Sequence, residues 1–189
     1  MTNKKAAKKT RTKPSWSDVK SQIDNFDRAG LIGLIHSLYA ASKENQIFLH
    51  ARFALDGNVL AIYEKTLQRW LWPDVLRNQD ISVSKAKKAI SDYKKAVGQP
   101  EGLAELMVYY CEQAAGFSQD VGMAGDSWFD AMLRTFEDAL KFVNTLPQDR
   151  RGPFIARLDE VRRLSHDFGY GVGDEMDYLM RKYGCDRGS

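Results

Sequence analysis

Three glutamates, Glu101, Glu105 and Glu112, follow one another at spacings of four and seven. In a helix that spacing puts their carboxylates on one face. Such rows hold paired metals in helical bundles, but those sites add a Glu-x-x-His pair on each of two helices. The chain has three histidines, His36, His50 and His166, and none stands in that pattern. Glu44 and His50 could supply part of a metal site, yet a half-buried histidine with a polar partner accounts for them more simply. No metal and no other cofactor is expected.

Nucleophilic chemistry is no better supplied. Cys111 lies in an apolar stretch, where a thiol behaves as a small hydrophobe, and Cys185 lacks an activating neighbour. Ser84 and Lys88 imitate a Ser-x-x-x-Lys pair, but Ser82 or Ser84 is better read as a helix cap. Gly169, Gly171 and Gly173 alternate like a phosphate loop, but they follow a helical pattern and no Lys-Ser/Thr pair comes after them. A helix C-cap and a sharp turn explain them. No catalytic residue is assigned.

Binding surfaces are easier to nominate. Lys85, Lys87, Lys88, Lys94 and Lys95 flank an apolar stripe with Asp92 as the one acid among them. Such a row can meet phosphates. The plainer reading sets it against Glu101, Glu105 and Glu112 on the next helix as cross-helix ion pairs, which stabilise little. Trp70, Trp72 and Tyr63 cluster, with Trp72 at the Trp72-Pro73-Asp74 break the best placed for exposure. The residues carried forward as an interaction surface are Lys85, Lys88, Lys95, Trp72, Glu105, His50 and Arg52.

The elements that must position these groups are helical throughout. Trp16, Val19, Ile23 and Phe26 step at helical period, as do Leu31, Leu34, Ile35, Leu38 and Tyr39 behind a cap at Asp27. A third helix is expected to bury Ile47, Phe48, Ala51 and Leu55 before an Asp56-Gly57-Asn58 turn. Leu60, Tyr63, Leu67, Trp70 and Leu71 mark a fourth, ended or kinked by Pro73, which has no backbone donor. Val83, Ala86, Ile90, Tyr93 and Val97 mark a fifth, closed by Gly98 before Pro100 opens the next. That sixth helix, with Leu103, Leu106, Met107, Tyr110, Ala114 and Phe117, is the most apolar and is expected at the centre. Three more follow, around Phe129–Val143, Phe154–Phe168 and Val172–Tyr183. No segment alternates with the period of a strand. The fold class is all-α, an irregular multi-helix bundle of antiparallel hairpins, with a short α-solenoid as the alternative.

Charge is unevenly distributed. Lys4, Lys5, Lys8, Lys9, Arg11 and Lys13 precede Pro14 without one acidic residue. With those six set aside, 22 basic residues meet 25 acidic ones, so the rest of the chain carries about −3. Residues 1–15 read as a flexible basic arm and 16–185 as a single helical domain. A surface built wholly for nucleic acid would be basic in the body too. The lysines of the arm precede no apolar run, so no signal peptide is expected. The longest near-apolar run, Leu31 to Ala41, is about half the ~20 residues that span a bilayer. A cytoplasmic location is expected.

The segments Ser42-Lys-Glu-Asn-Gln-Ile-Phe-Leu-His-Ala-Arg-Phe53, Ser82–Gly98 (SVSKAKKAISDYKKAVG) and Pro100–Glu112 (PEGLAELMVYYCE) resemble an uncharacterised bacterial all-helical family. So does the glycine-punctuated stretch Phe168–Gly173. The resemblance is best from Ser82 to Glu112. It implies an intact bacterial helical domain over roughly residues 16–183 and carries no activity, ligand or site residue. From the residues themselves, the expected function is a non-enzymatic helical module that docks another protein. The alternative is a nucleic-acid-associated protein using Lys4, Lys5, Lys8, Lys9, Arg11 and Lys13 with the Lys85–Lys95 helix.

Overall fold

The computed structural model describes residues 13–55, 57–122 and 125–185. Most of the basic arm, the turn residue Asp56 and the last four residues therefore lie outside the described residues. Nine α-helices are present among the described residues, with no strand. They are α1 (Trp16–Ile23), α2 (Arg28–Ala41), α3 (Lys43–Arg52), α4 (Val59–Leu71), α5 (Val83–Ala96), α6 (Pro100–Val121), α7 (Asp126–Thr145), α8 (Gln148–Ser165) and α9 (Val172–Lys182). Single 3₁₀ turns at Val75–Arg77 and His166–Phe168 complete them. The stretch read as one domain, 16–185, divides into two compact units, Met1–Gln46 and Ile47–Ser189, with the boundary inside α3.

Local chemistry sets the helix ends. The Asp27 side chain accepts from Gly30 N at 2.7 Å and opens α2. Asn58 accepts from Ala61 N to open α4, and Ser82 from Lys85 N to open α5. Gly98, at φ +70, separates α5 from Pro100, the first residue of α6. Gly122 closes α6 in the left-handed region at φ +66, where a Cβ would be strained.

The second unit is organised around α6. Of its 22 residues, twelve are buried, and α4, α5, α7 and α8 all pack on it. A solenoid repeat touches only its sequence neighbours; the central helix makes this a bundle. Leu67, Leu71, Leu106, Phe117, Met132, Phe136, Leu140, Leu158 and Met176 fill the core. Two glycines of α6 allow close approach. A Cβ on Gly102 would fall 1.9 Å from the Tyr93 hydroxyl of α5, and one on Gly116 would fall 2.4 Å from the Trp72 ring.

The first unit departs from expectation. The stripes on α1 and α2 have the predicted period, but neither helix contains a buried residue. Of the α2 stripe, Leu31, Ile35 and Leu38 are exposed, while Leu34 and Tyr39 are half-buried. In the second unit, Ala51 of α3 is buried as expected and Ile47 is half-buried, but Phe48 and, beyond the helix, Leu55 are exposed. Periodicity identifies an apolar face and leaves open how much of it is covered.

Gly102→Ala is expected to destabilise the protein by about 1–3 kcal/mol, because Tyr93 would have to move from a packed core. Gly33→Ala, with open space around its Cβ, is expected to be neutral or to stabilise α2 by up to about 1 kcal/mol. Urea unfolding curves of the two variants check the contrast.

Candidate functional site

The carboxylate row of α6 does not face the lysines of α5. Instead Arg157 of α8 donates from Nη1 to both Glu105 oxygens at 2.7 and 2.8 Å. Its Nε and Nη2 donate to the two oxygens of Glu112, each at 2.7 Å. Arg150, one heptad earlier on α8, donates to Glu101 at 2.7 Å. The expected cross-helix neutralisation of the lysine row is thus corrected: the carboxylates pair with α8, Glu101 with Arg150 and both Glu105 and Glu112 with Arg157.

Glu64 of α4 joins this cluster electrostatically. Burial raises its carboxyl above the ordinary range, and the charges of Glu105 and Glu112 add to that while Arg157 opposes it. Burial also raises the Tyr109 hydroxyl, with Glu64 and Glu112 contributing. Arg157 is held charged by its carboxylate bonds despite its burial. With its donors committed to two carboxylates, the guanidinium works as a clamp between helices.

The other nominated residues are scattered around the surface. The Lys85 ammonium sits 3.8 Å from the centroid of the Trp70 ring, which Arg69 approaches at 4.5 Å. Lys88 pairs with Asp92 within α5. Lys95 is exposed and has no ion pair among the described residues. Trp72 is 36% exposed, with its ring edge over Gly116. Arg52 lies 5.9 Å from the Phe48 centroid, and His50 is half-buried. Lys13 is exposed; Lys4, Lys5, Lys8, Lys9 and Arg11 lie outside the described residues.

Reactive groups are accounted for locally. Both cysteines are buried free thiols, and burial pushes each thiol pKa up. Ser84 Oγ lies 3.2 Å from Ser82 Oγ, the cap of α5. Gly169 and Gly171 take positive φ in the turn before α9. His166, Asp174 and Asp177 bring ligand atoms within 4.8 Å of one another, a cluster that sequence reading missed. Arg162 already occupies Asp177 at 2.5 Å, so this cluster is satisfied as an ion-pair network. A groove of about 390 Å³ between α7 and α9 is lined by Asp130, Arg134, Glu137, Tyr170 and Glu175. There Glu137 is lowered to about 2 by hydrogen bonds from Lys182 and Tyr183, against a smaller effect of burial.

The largest uncompensated feature is α2. Between Arg28 and Lys43 the chain has no Asp, Glu, Lys or Arg. Leu31, Ile35 and Leu38 share one face, with Ile32 at its edge. These four are 36, 49, 51 and 57% exposed in that order. Asn45 Nδ2 donates to Leu38 O at 2.6 Å and Gln46 Nε2 to Tyr39 O at 3.2 Å, so the last carbonyls of α2 are capped from α3. The helix is therefore finished at both ends, with Leu31, Ile32, Ile35 and Leu38 exposed and Leu34 and Tyr39 half-buried. A helix that is apolar on most of its circumference belongs inside a protein core.

Glu64→Gln tests the electrostatics of the buried cluster. Because the folded carboxyl titrates above its unfolded value, its contribution to stability is complete below the unfolded pKa and lost as pH rises through the folded one. The variant is expected to melt higher than the parent at pH 7 and equally at pH 3, by calorimetry. Arg157→Met, which leaves Glu105 and Glu112 unpaired, is expected to cost about 1–3 kcal/mol at neutral pH, measured by urea unfolding.

Comparison with protein-family models, with curated proteins and with solved structures finds no match to this chain.

Proposed function

We propose that the protein is a non-enzymatic helical interaction module that docks another protein through α2. The observation that carries this reading is a helix of fourteen residues, without a formal charge after Arg28, capped at both ends and with no residue fully buried. A lipid partner fits it less well. At 1.5 Å per residue α2 is about 21 Å long, short of the ~30 Å hydrocarbon core. No helix among the described residues is long and apolar enough to cross a membrane. Helices that lie in the interface carry a strongly charged face, which α2 lacks. The reading places the protein in the bacterial cytoplasm and within the uncharacterised family that Ser82–Glu112 resembles.

One observation favours a second reading. The carboxylates of α6 are committed to α8, which leaves Lys94 and Lys95 without an ion pair among the described residues. Together with the basic arm, these lysines suit a nucleic-acid backbone.

Affinity purification of the full chain from its host, with and without nuclease, separates the two. A nuclease-resistant complex abolished by Ile35→Glu, with the helical circular dichroism retained, is the expected outcome. A complex that collapses with nuclease and weakens steeply with salt, and that Lys94→Glu with Lys95→Glu abolishes, gives precedence to the second reading.

A further inference from the structure

A second hollow, of about 370 Å³, lies within the second unit where the end of α6 meets the turn before α9. It is lined by Ser118 and Gln119 of α6, Phe129 of α7, Asp167 and Phe168 of the 3₁₀ turn after α8, and Tyr170. We propose that this hollow binds a small quaternary ammonium compound, its trimethylammonium head set against the aromatic rings and Asp167. The site is independent of the α2 reading and adds a small-molecule ligand to the protein.

Three features select that chemistry. The first is the aromatic wall. The Phe129 ring has Phe168 at 5.8 Å and Tyr170 at 5.6 Å between centroids, so three neighbouring rings border one hollow. Phe129 is buried and fixes the back of it, whereas Tyr170 is 74% exposed. An unusual backbone holds Tyr170 there, with φ +55 between Gly169 at +75 and Gly171 at +68. Bulky residues seldom occupy that region, and those that do cluster at ligand sites. Methylated cations lodge against aromatic rings because the ring face is negative.

The second feature is the sign of the charge. Asp167 is the one formally charged residue of the lining, and it has no ion pair among the described residues. Gly122, the C-cap of α6, also borders the hollow, so the negative end of a 22-residue helix lies beside it. No basic residue stands in the last turn of α6 to offset that end, and Asp120 there is exposed and also without an ion pair among the described residues. A cation is favoured on each count and an anion is opposed.

The third feature is a shortage of hydrogen-bond acceptors. Ser118 Oγ accepts from Trp128 Nε1 and donates to Ala114 O, each at 2.9 Å, so this hydroxyl is committed to the fold. Asp167 and the Gln119 amide are the polar side chains that remain in the lining. A primary ammonium brings three donors and a strongly held water shell. Against aromatic walls some of those donors would go unpaired, which is costly. A trimethylammonium head has no donor and buries its methyl groups. The volume sits near the lower end of the ~300–1,000 Å³ of ligand pockets, as a compound of the size of choline requires.

Calorimetric titration of the full chain with choline is expected to give a dissociation constant on the order of 1 mM. Tetramethylammonium is expected to bind comparably, and ethanolamine, which has the same chain but a primary ammonium, roughly tenfold more weakly. Asp167→Asn is expected to weaken choline binding roughly tenfold. Tyr170→Ala is expected to weaken it roughly fivefold, while Tyr170→Phe, which keeps the ring, binds like the parent. Asp167 and Tyr170 are exposed, so circular dichroism should be unchanged in all three variants. Absence of binding at about 20 mM choline overturns the proposal. Equal affinity for choline and ethanolamine, or an Asp167→Asn variant that binds as the parent does, also overturns it. A trimethyllysine peptide bound far more tightly than choline would keep the head-group site and overturn its assignment to a free small compound.

Discussion

The bidentate clasp of Arg157 on Glu105 and Glu112 is the interaction on which the second unit depends. α6 is buried over more than half its length, and its carboxylates Glu105 and Glu112 are left only about a quarter to a third exposed. Two ionised groups one heptad apart cannot be packed beside α8 unless a cation reaches both. Arg157 does so through four hydrogen bonds, and the rigid fork of a guanidinium fixes the axial register of α8 on α6 as well as its distance. A lysine would supply the charge without the register. Apolar packing holds the helices together; this pair decides how they slide. A cost falls on Glu64 of α4, whose carboxyl is raised first by burial and then by the charges of Glu105 and Glu112, against Arg157.

The clasp also determines what the lysine helix can do. Had Glu101, Glu105 and Glu112 turned toward α5, its lysines would have been spent within the fold. Because α8 takes those carboxylates, α5 keeps only local compensation: Asp92 for Lys88 and the Trp70 ring for Lys85. The cation over an indole face is neutralised only in part, because a ring quadrupole is weaker than a carboxylate. The basic character of this surface is thus a consequence of a pairing made on a neighbouring face of α6.

Much of the fold was legible because it is written in short-range chemistry. Asp27, Ser82, Gly98 and Pro100 mark helix boundaries with side chains or backbone limits that act within a few residues. The central position of α6 followed from an apolar face too wide for a helix with one wet side. Arg157 and the cluster of His166, Asp174 and Asp177 were not read, because each joins residues whose proximity depends on how α6, α8 and α9 pack. The fate of the apolar stripes on α1 and α2 was misread for another reason. A repeat of three and four shows that a helix has an apolar side, and it is silent about which chain provides the cover.

That silence is informative once the helix ends are considered. Isolated helices of fewer than about 12–15 residues are marginal in water even in favourable sequences. α2 is at this limit, carries Gly30 and Gly33 in its interior, and has no fully buried residue. Its end caps at Asp27, Asn45 and Gln46 offset part of the deficit but cannot shield Leu31, Ile35 and Leu38 from water. Each of these half-exposed side chains forgoes roughly half of the about 1.5–3 kcal/mol that full burial contributes. A contact that covers this face therefore stabilises the helix as it forms the interface, so folding of α2 and association are thermodynamically linked.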